Sequence, residues 1–180
     1  MEDKEIKKLN IQYPGLIYQQ DILDSDTITK ILTLFNEDSK NKVNIINENY
    51  LIYWNGIKQH DEIDKKLFNI LKKYLQLYLN YYNQVEQDII DSGYLLINHD
   101  KDYISNWIKP LNFIDNNINI CTIIYCLNEL QIEFKFINKK IDMKIGSMII
   151  FPNNFMYTYK INNYQNKSII VSTISYSKKP

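Results

Sequence analysis

The sequence contains no arginine, four glycines, two histidines and two cysteines in 180 residues. Four glycines spread along a chain cannot form the glycine-rich loop that cradles phosphate groups. The 21 basic residues are all lysine and are balanced by 21 acidic residues, so the chain has no net field to attract nucleic acid or an anionic membrane. We therefore expect neither of these as a partner.

Long hydrophobic runs are also missing. The longest, such as "CTIIYCL" and "SMIIF", are far shorter than the roughly 20 residues of a membrane span. The N-terminal "MEDKEIKKLN" lacks the apolar core of a signal peptide. We expect cytoplasmic synthesis without secretion. Cys121 and Cys126 stand five apart in a predicted strand, so they face opposite sides and are not expected to form a disulfide with each other.

Two stretches have helical periodicity. Asp24 or Ser25 can cap a helix over about residues 25 to 38, in which apolar residues recur at helical spacing. A second helix is predicted over about residues 61 to 83, with one apolar face and lysines largely off it. His60 stands just before the predicted cap at Asp61. The chain is long enough for one core, and we expect a single domain over residues 1–180.

After residue 90 the pattern changes to short runs rich in Ile, Tyr, Phe and Val, separated by Asn, Asp, Gly and Lys. The predicted strands are "NYLIYW" before the second helix, and then "GYLLIN", "NICTIIYCL", "QIEFKFI", "GSMIIF", "MYTYKI" and "SIIVSTISY". This order predicts an α+β fold, in which residues 1–90 form a helical part with an early strand and residues 91–180 form a β-sandwich or squashed barrel.

Four phrases within that barrel resemble one known family. They are "SGYLLIN" at 92–98, "IIYCLNE" at 123–129, "IEFKF" at 132–136 and "KIGSMIIFP" at 144–152. Together they resemble the iron- and 2-oxoglutarate-dependent dioxygenases, in particular the compact prolyl-4-hydroxylase-like members. The resemblance implies a double-stranded β-helix, which is a jelly-roll-like pair of antiparallel sheets, with the two N-terminal helices packed on one sheet.

The resemblance also implies where the metal ligands of the family would fall. The family uses Fe(II) and 2-oxoglutarate, and its iron is held by two histidines and one carboxylate. If Tyr103 is matched to the tyrosine of the family's Tyr-x-x-His-x-Asp segment, the first histidine becomes Asn106 and the aspartate becomes Ile108. Counting onward from "FP", Tyr159 stands at the position of the distal histidine. We therefore expect a degenerate copy with no catalytic residues, no metal and no cofactor.

Three further residues bear on this interpretation. Lys167 stands near the position that supplies the cation for the cosubstrate's distal carboxylate, and is either a remnant of that site or an exposed lysine. His99 and Asp102 in "NHDKD" form a weak alternative ligand pair, and otherwise a polar turn. Trp107 is expected in the core, at the rim, or lining the former mouth of the barrel.

Three hypotheses follow for function. The first is an inactive dioxygenase-like domain that serves as a structural or protein-interaction component, for example of a virus or phage particle, with protein partners or further copies of itself. The second is an active hydroxylase whose ligands are displaced, with His99 among them. The third is a jelly-roll module that binds carbohydrate or protein. No nucleophile elbow or activated cysteine indicates another kind of catalysis.

Overall fold

The computed structural model describes residues 11–38, 42–47, 49–81, 89–91, 93–99, 107–110, 113–114, 117–162 and 167–176. Its first helix, α1, spans Ser25–Glu37 and begins after Asp24, whose carboxylate accepts the N–H group of Thr27 at 2.8 Å. The second, α2, spans Asp61–Tyr81. Both helices were predicted from periodicity. Within the described part of the chain, no helix is long and apolar enough to cross a membrane.

In the described part of the chain, thirteen strands form two antiparallel sheets. In chain order they are β1 (Ile11–Tyr13), β2 (Leu16–Gln19), β3 (Lys42–Asn47), β4 (Asn49–Trp54), β5 (Ile89–Asp91), β6 (Leu95–His99), β7 (Phe113–Ile114), β8 (Asn117–Cys126), β9 (Leu130–Phe134), β10 (Lys139–Met143), β11 (Met148–Pro152), β12 (Tyr159–Asn162) and β13 (Lys167–Tyr176). The larger sheet has the order β1-β2-β11-β8-β13-β6-β4-β3, with β5 beside β13 and β7 beside β8. The smaller sheet has the order β10-β9-β12.

The larger sheet buries both of its faces, since side chains alternate along each strand. On β13, Ile170 and Ile174 belong to the core that the sheet shares with α1 and α2. Ile169 on the same strand belongs to the core between the two sheets. This arrangement confirms the predicted double-stranded β-helix with two helices packed on one sheet.

Some predicted strand boundaries were wrong. The predicted strand "MYTYKI" at 156–161 is interrupted, because residues Phe155–Tyr157 form a 3₁₀ turn and β12 begins only at Tyr159. The turn forms because the side chain of Asn154 accepts the N–H group of Met156 at 3.0 Å. Likewise the predicted strand at 131–137 ends at Phe134, where a tight turn begins. The strands β1, β2, β3, β5, β7 and β10 were not predicted.

Gly146, the glycine of the "KIGSMIIFP" phrase, is required by the backbone. It has a φ of 75°, and a Cβ atom there would lie 2.4 Å from the carbonyl oxygen of Leu23. The N–H groups of Ile22 and Leu23 both donate to the Gly146 carbonyl, at 2.8 and 3.0 Å. The glycine therefore fixes the segment leading into α1 against the turn that precedes β11.

Candidate functional site

Two of the three predicted ligand positions lie opposite each other at the edge of the smaller sheet. Ile108 and Tyr159 form an antiparallel bridge. The N–H group of Ile108 donates to the carbonyl oxygen of Tyr159 at 2.6 Å, and the N–H group of Tyr159 donates to that of Ile108 at 3.0 Å. Opposed residues in such a pair point to the same face, and both contact the core between the sheets. Asn106, the third position, lies outside the described residues.

The space between the sheets beside this pair is filled by an aromatic cluster of Phe134, Phe151, Tyr157 and Tyr159. All four are at most 5% exposed. The Tyr159 ring meets Phe151 edge-on at a centroid distance of 5.2 Å and lies 6.3 Å from Phe134. Phe134 and Phe151 themselves pack edge to face at 5.2 Å. Each such pair contributes about 0.5–1.5 kcal/mol beyond burial of its area, so the cluster is a well-packed core.

Tyr157 connects the cluster to the first hairpin. Its ring stacks on Phe151 at 6.2 Å with an interplanar angle of 20°. Its hydroxyl group donates to the carbonyl oxygen of Pro14, in the turn between β1 and β2. A Cβ atom at the neighbouring Gly15 would lie 2.9 Å from that hydroxyl oxygen, and Gly15 has a φ of 86°. The N-terminal hairpin is thus held against the aromatic cluster.

The described side chains at the predicted positions do not fit an iron site. Fe(II) in this family of sites needs imidazole and carboxylate donors. Ile108 has no donor atom, and Tyr159 presents a phenol embedded among phenyl rings. Among the residues that the structure describes, no group of three or more His, Cys, Asp or Glu side chains is placed to hold a metal ion.

The structure also brings together two of the remaining candidates. His99, at the end of β6, is the direct strand partner of Lys167, at the start of β13. The weak alternative ligand and the proposed carboxylate remnant are therefore neighbours in the larger sheet. Asp102 lies outside the described residues. The second histidine, His60, accepts the N–H group of Ile63 at the start of α2, and its ring lies 6.2 Å from Trp54.

Trp107 does not line the space between the sheets. It is 38% exposed, and its ring lies under the ammonium groups of Lys160 at 4.9 Å and Lys135 at 5.7 Å. Side chains alternate along a strand, so the neighbour of the inward-facing Ile108 points outward. The expectation that Trp107 belongs to the core or to the former mouth is corrected by this position on the outer side of the smaller sheet.

Both cysteines are free and buried. Cys121 faces the core shared with the helices and Cys126 faces the core between the sheets, as their spacing predicted. Burial raises the pKa of the Cys121 thiol to about 12. The Cys126 thiol donates to the carbonyl oxygen of Asn128 at 2.6 Å. Neither geometry resembles that of an activated nucleophile.

The sequence interpretation missed three members of the aromatic cluster. Tyr159 was singled out, but Phe134, Phe151 and Tyr157 were not recognised as its neighbours. Phe134 does carry a signal, because β9 alternates strictly between buried and half-buried residues and Phe134 is in the buried register. The contact of Tyr157 with the first hairpin carries none, since the two segments are 143 residues apart.

Comparisons with solved structures show the same fold. A viral collagen prolyl hydroxylase from Paramecium Bursaria Chlorella virus-1, in a 2OG complex, matches with a TM-score of 0.67 and 11% identity, over 91% of this chain and 97% of that chain. A prolyl hydroxylase from Trichoplax adhaerens, in complex with a hypoxia inducible factor peptide, matches with a TM-score of 0.66 and 14% identity, over 89% and 83%. A search of protein-family models and a search of curated proteins found no match.

A third similar structure, HygX from Streptomyces hygroscopicus, holds nickel, 2-oxoglutarate and hygromycin B. It matches with a TM-score of 0.58 and 7% identity, over 91% of this chain and 83% of that chain. These neighbours show a prolyl-hydroxylase-like oxygenase fold. They also contradict the expectation that no cofactor is involved, because structures with this fold hold 2-oxoglutarate and, in HygX, a metal as well.

Proposed function

We propose that this chain is an oxygenase-like domain that does not carry out hydroxylation and that acts as a structural or protein-interaction component. One observation carries the proposal: the pairing of Ile108 with Tyr159 beside the aromatic cluster. In iron oxygenases whose metal is held by two histidines and one carboxylate, turnover requires open coordination positions on the metal for cosubstrate and dioxygen. Here the space beside Ile108 and Tyr159 is packed with aromatic rings and an alkyl group, which supports architecture rather than turnover.

The packing adds to this proposal because it stabilises the two sheets against each other. Phe151 comes from the larger sheet, whereas Phe134 comes from the smaller one. Burying a large apolar side chain contributes about 1.5–3 kcal/mol. An open site in the same place would lose much of that contribution.

The proposal is tested by measuring succinate release from 2-oxoglutarate in the presence of Fe(II), ascorbate and proline-containing peptides. An active prolyl hydroxylase serves as the positive control. We expect no succinate above the rate without protein. Binding of 2-oxoglutarate is measured separately by calorimetry, and binding without turnover agrees with the proposal. Succinate release by the wild-type protein would contradict it.

The pairing of His99 with Lys167 favours one second candidate, an active hydroxylase with displaced ligands. It predicts that succinate release is lost in His99→Ala and kept in His60→Ala. The second variant is a matched control, because the chain has two histidines and His60 lies at the start of α2. Equal rates in both variants would eliminate His99 as a ligand.

Assembly is part of the proposal. We propose protein partners or further copies of this chain as the molecules that it contacts, with a virus or phage particle as one setting. Light scattering during size-exclusion chromatography measures whether copies associate. If the protein is a monomer at all concentrations, association of copies is excluded, and binding to a different protein is tested next.

A further inference from the structure

Three aromatic side chains and two lysines form a continuous surface on the outer side of the smaller sheet and its adjoining turns. We call Trp107, Lys135, Phe136, Phe155 and Lys160 the aromatic–lysine surface. Six large hydrophobic side chains are exposed among the described residues, and three of them, Trp107, Phe136 and Phe155, belong to this surface. Large exposed apolar groups that lie together commonly mark an interaction site.

The members of the surface hold each other in place. Phe136 and Phe155 meet edge to face at a centroid distance of 5.8 Å, although they are 51% and 66% exposed. The Lys135 ammonium lies 5.6 Å from the Phe136 ring and 5.7 Å from the Trp107 ring. The N–H group of Lys135 also donates to the carbonyl oxygen of Thr158 at 2.9 Å, which joins the two turns. An ordered aromatic surface loses little conformational entropy on binding.

The charge of this region is positive although the whole chain is neutral. Glu133 is paired with Lys160 at 3.0 Å and with Lys140 at 3.5 Å. Lys135 has no carboxylate partner among the residues that the structure describes, and it is exposed. On the outer face of the smaller sheet and the turn after β9, three lysines, Lys135, Lys140 and Lys160, therefore stand against two carboxylates, those of Glu133 and Asp142. Opposite charge on a partner would complement this surface.

We infer that the aromatic–lysine surface binds an acidic segment of a partner protein that also carries apolar side chains. The apolar side chains contact Phe136 and Phe155, and the carboxylates contact Lys135 and the lysines beside it. Two observations favour a protein over a lipid surface or nucleic acid: the 21 basic residues of the chain are balanced by 21 acidic ones, so no long-range field draws it to a polyanion, and the chain has no arginine. The inference deepens the proposed function, on which it rests, by naming the partner.

The test is a selection of random displayed peptides on the wild-type protein, followed by affinity measurement with the selected synthetic peptides. The selected peptides are expected to be acidic and to contain apolar residues, and their affinity should fall as salt is added. The double variant Phe136→Ser/Phe155→Ser should bind them about tenfold or more weakly. The variant Lys135→Glu should weaken binding by a similar factor.

Matched controls lie elsewhere on the molecule. Phe68→Ser/Ile145→Ser removes two other exposed apolar side chains, and Lys72→Glu makes the same charge change on α2. Both controls should bind as the wild type does, and circular dichroism verifies that every variant is folded. Vesicles containing phosphatidylserine and a single-stranded oligonucleotide are measured in parallel.

The inference is overturned if the selected peptides show no acidic bias, or if they bind the variants and controls equally. It is also overturned if vesicles or the oligonucleotide bind through Phe136 and Phe155 while acidic peptides do not. Succinate release by the wild-type protein would overturn the proposed function without affecting peptide binding. The two failures are therefore distinguishable.

Discussion

On the inner face of the smaller sheet Phe134 and Tyr159 are at most 5% exposed, whereas on its outer side Trp107, Phe136 and Phe155 are 38–66% exposed. Tyr159 and Lys160 are adjacent in the sequence, and their side chains lie on opposite faces of the smaller sheet. The inner rings pack against the larger sheet, while Trp107 and Phe136 on the outer side contact lysines. Aromatic side chains therefore fill the core on one face of the sheet and remain exposed to solvent on the other. The number of aromatic residues in the sequence does not indicate which of the two positions they take.

The largest effect is expected from the inner face. Phe151→Ala removes the ring that contacts three other members of the aromatic cluster. We predict a loss of about 3–5 kcal/mol in the free energy of unfolding, measured by urea denaturation. Phe155→Ala on the outer side should change it by less than about 0.5 kcal/mol. Equal losses would show that the two faces do not differ as described.

Phe151→Ala should also make the core between the sheets more accessible to reagents than the core on the helix side of the larger sheet. Cys126 lies between the sheets and Cys121 lies on the helix side of the larger sheet. Neither buried thiol should react with a thiol reagent in the folded wild-type protein. In Phe151→Ala we predict that Cys126 reacts faster than Cys121, because local opening exposes the weakened region first. Mass spectrometry of labelled peptides measures the two rates, and faster reaction of Cys121 would contradict the prediction.

A smaller effect is expected from the contact between the aromatic cluster and the first hairpin. Tyr157→Phe removes the hydrogen bond to the Pro14 carbonyl and keeps the ring. We predict a loss of about 1 kcal/mol, measured by thermal or urea unfolding. Tyr13→Phe, at an exposed position in the same hairpin, is the matched control and should have no measurable effect.

The smallest effect is expected from the ion pairs of the outer face. The hydrogen bond from Lys160, followed by contacts with Asn162 and Lys140, lowers the pKa of Glu133. A carboxyl whose pKa is lower in the folded state stabilises the protein above its unfolded pKa of about 4.3, and loses that contribution as pH falls through the folded value. Glu133→Gln should slightly lower the unfolding midpoint at pH 7, and the difference should vanish in acid. The exposed Glu129→Gln is the control.

The helices and the central strands of the fold could be predicted from the sequence. Helix α1 was predicted because Asp24 caps a run of apolar residues at helical spacing, and β8, β11 and β13 were predicted because each contains a run rich in Ile, Val, Tyr or Phe. The strands β1 and β2 were missed because they are short: β2 pairs with β11, a tertiary contact that no local pattern shows, and β1 pairs with β2. Propensity gives way to such contacts routinely.

The candidate site could be predicted only in part. The resemblance matched Ile108 and Tyr159 to two metal-ligand positions of the family, and the structure shows that these two residues are strand partners. The aromatic–lysine surface could not be predicted, because Trp107, Phe136 and Phe155 are brought together by two turns and an edge contact that lie far apart in sequence. Trp107 was misplaced because its neighbours were considered along the chain rather than across the sheet.

The bridge between Ile108 and Tyr159 also limits what a single substitution at either position could introduce. A carboxylate at 108 without an imidazole at 159 would be a charge buried beside apolar rings, which costs free energy and supplies too few donors for a metal. An imidazole at 159 without a carboxylate at 108 would likewise be a polar group buried among apolar rings, and it too would supply too few donors for a metal. A metal-binding pair at 108 and 159 would therefore require both substitutions together, and each single variant is expected to be less stable than the present chain.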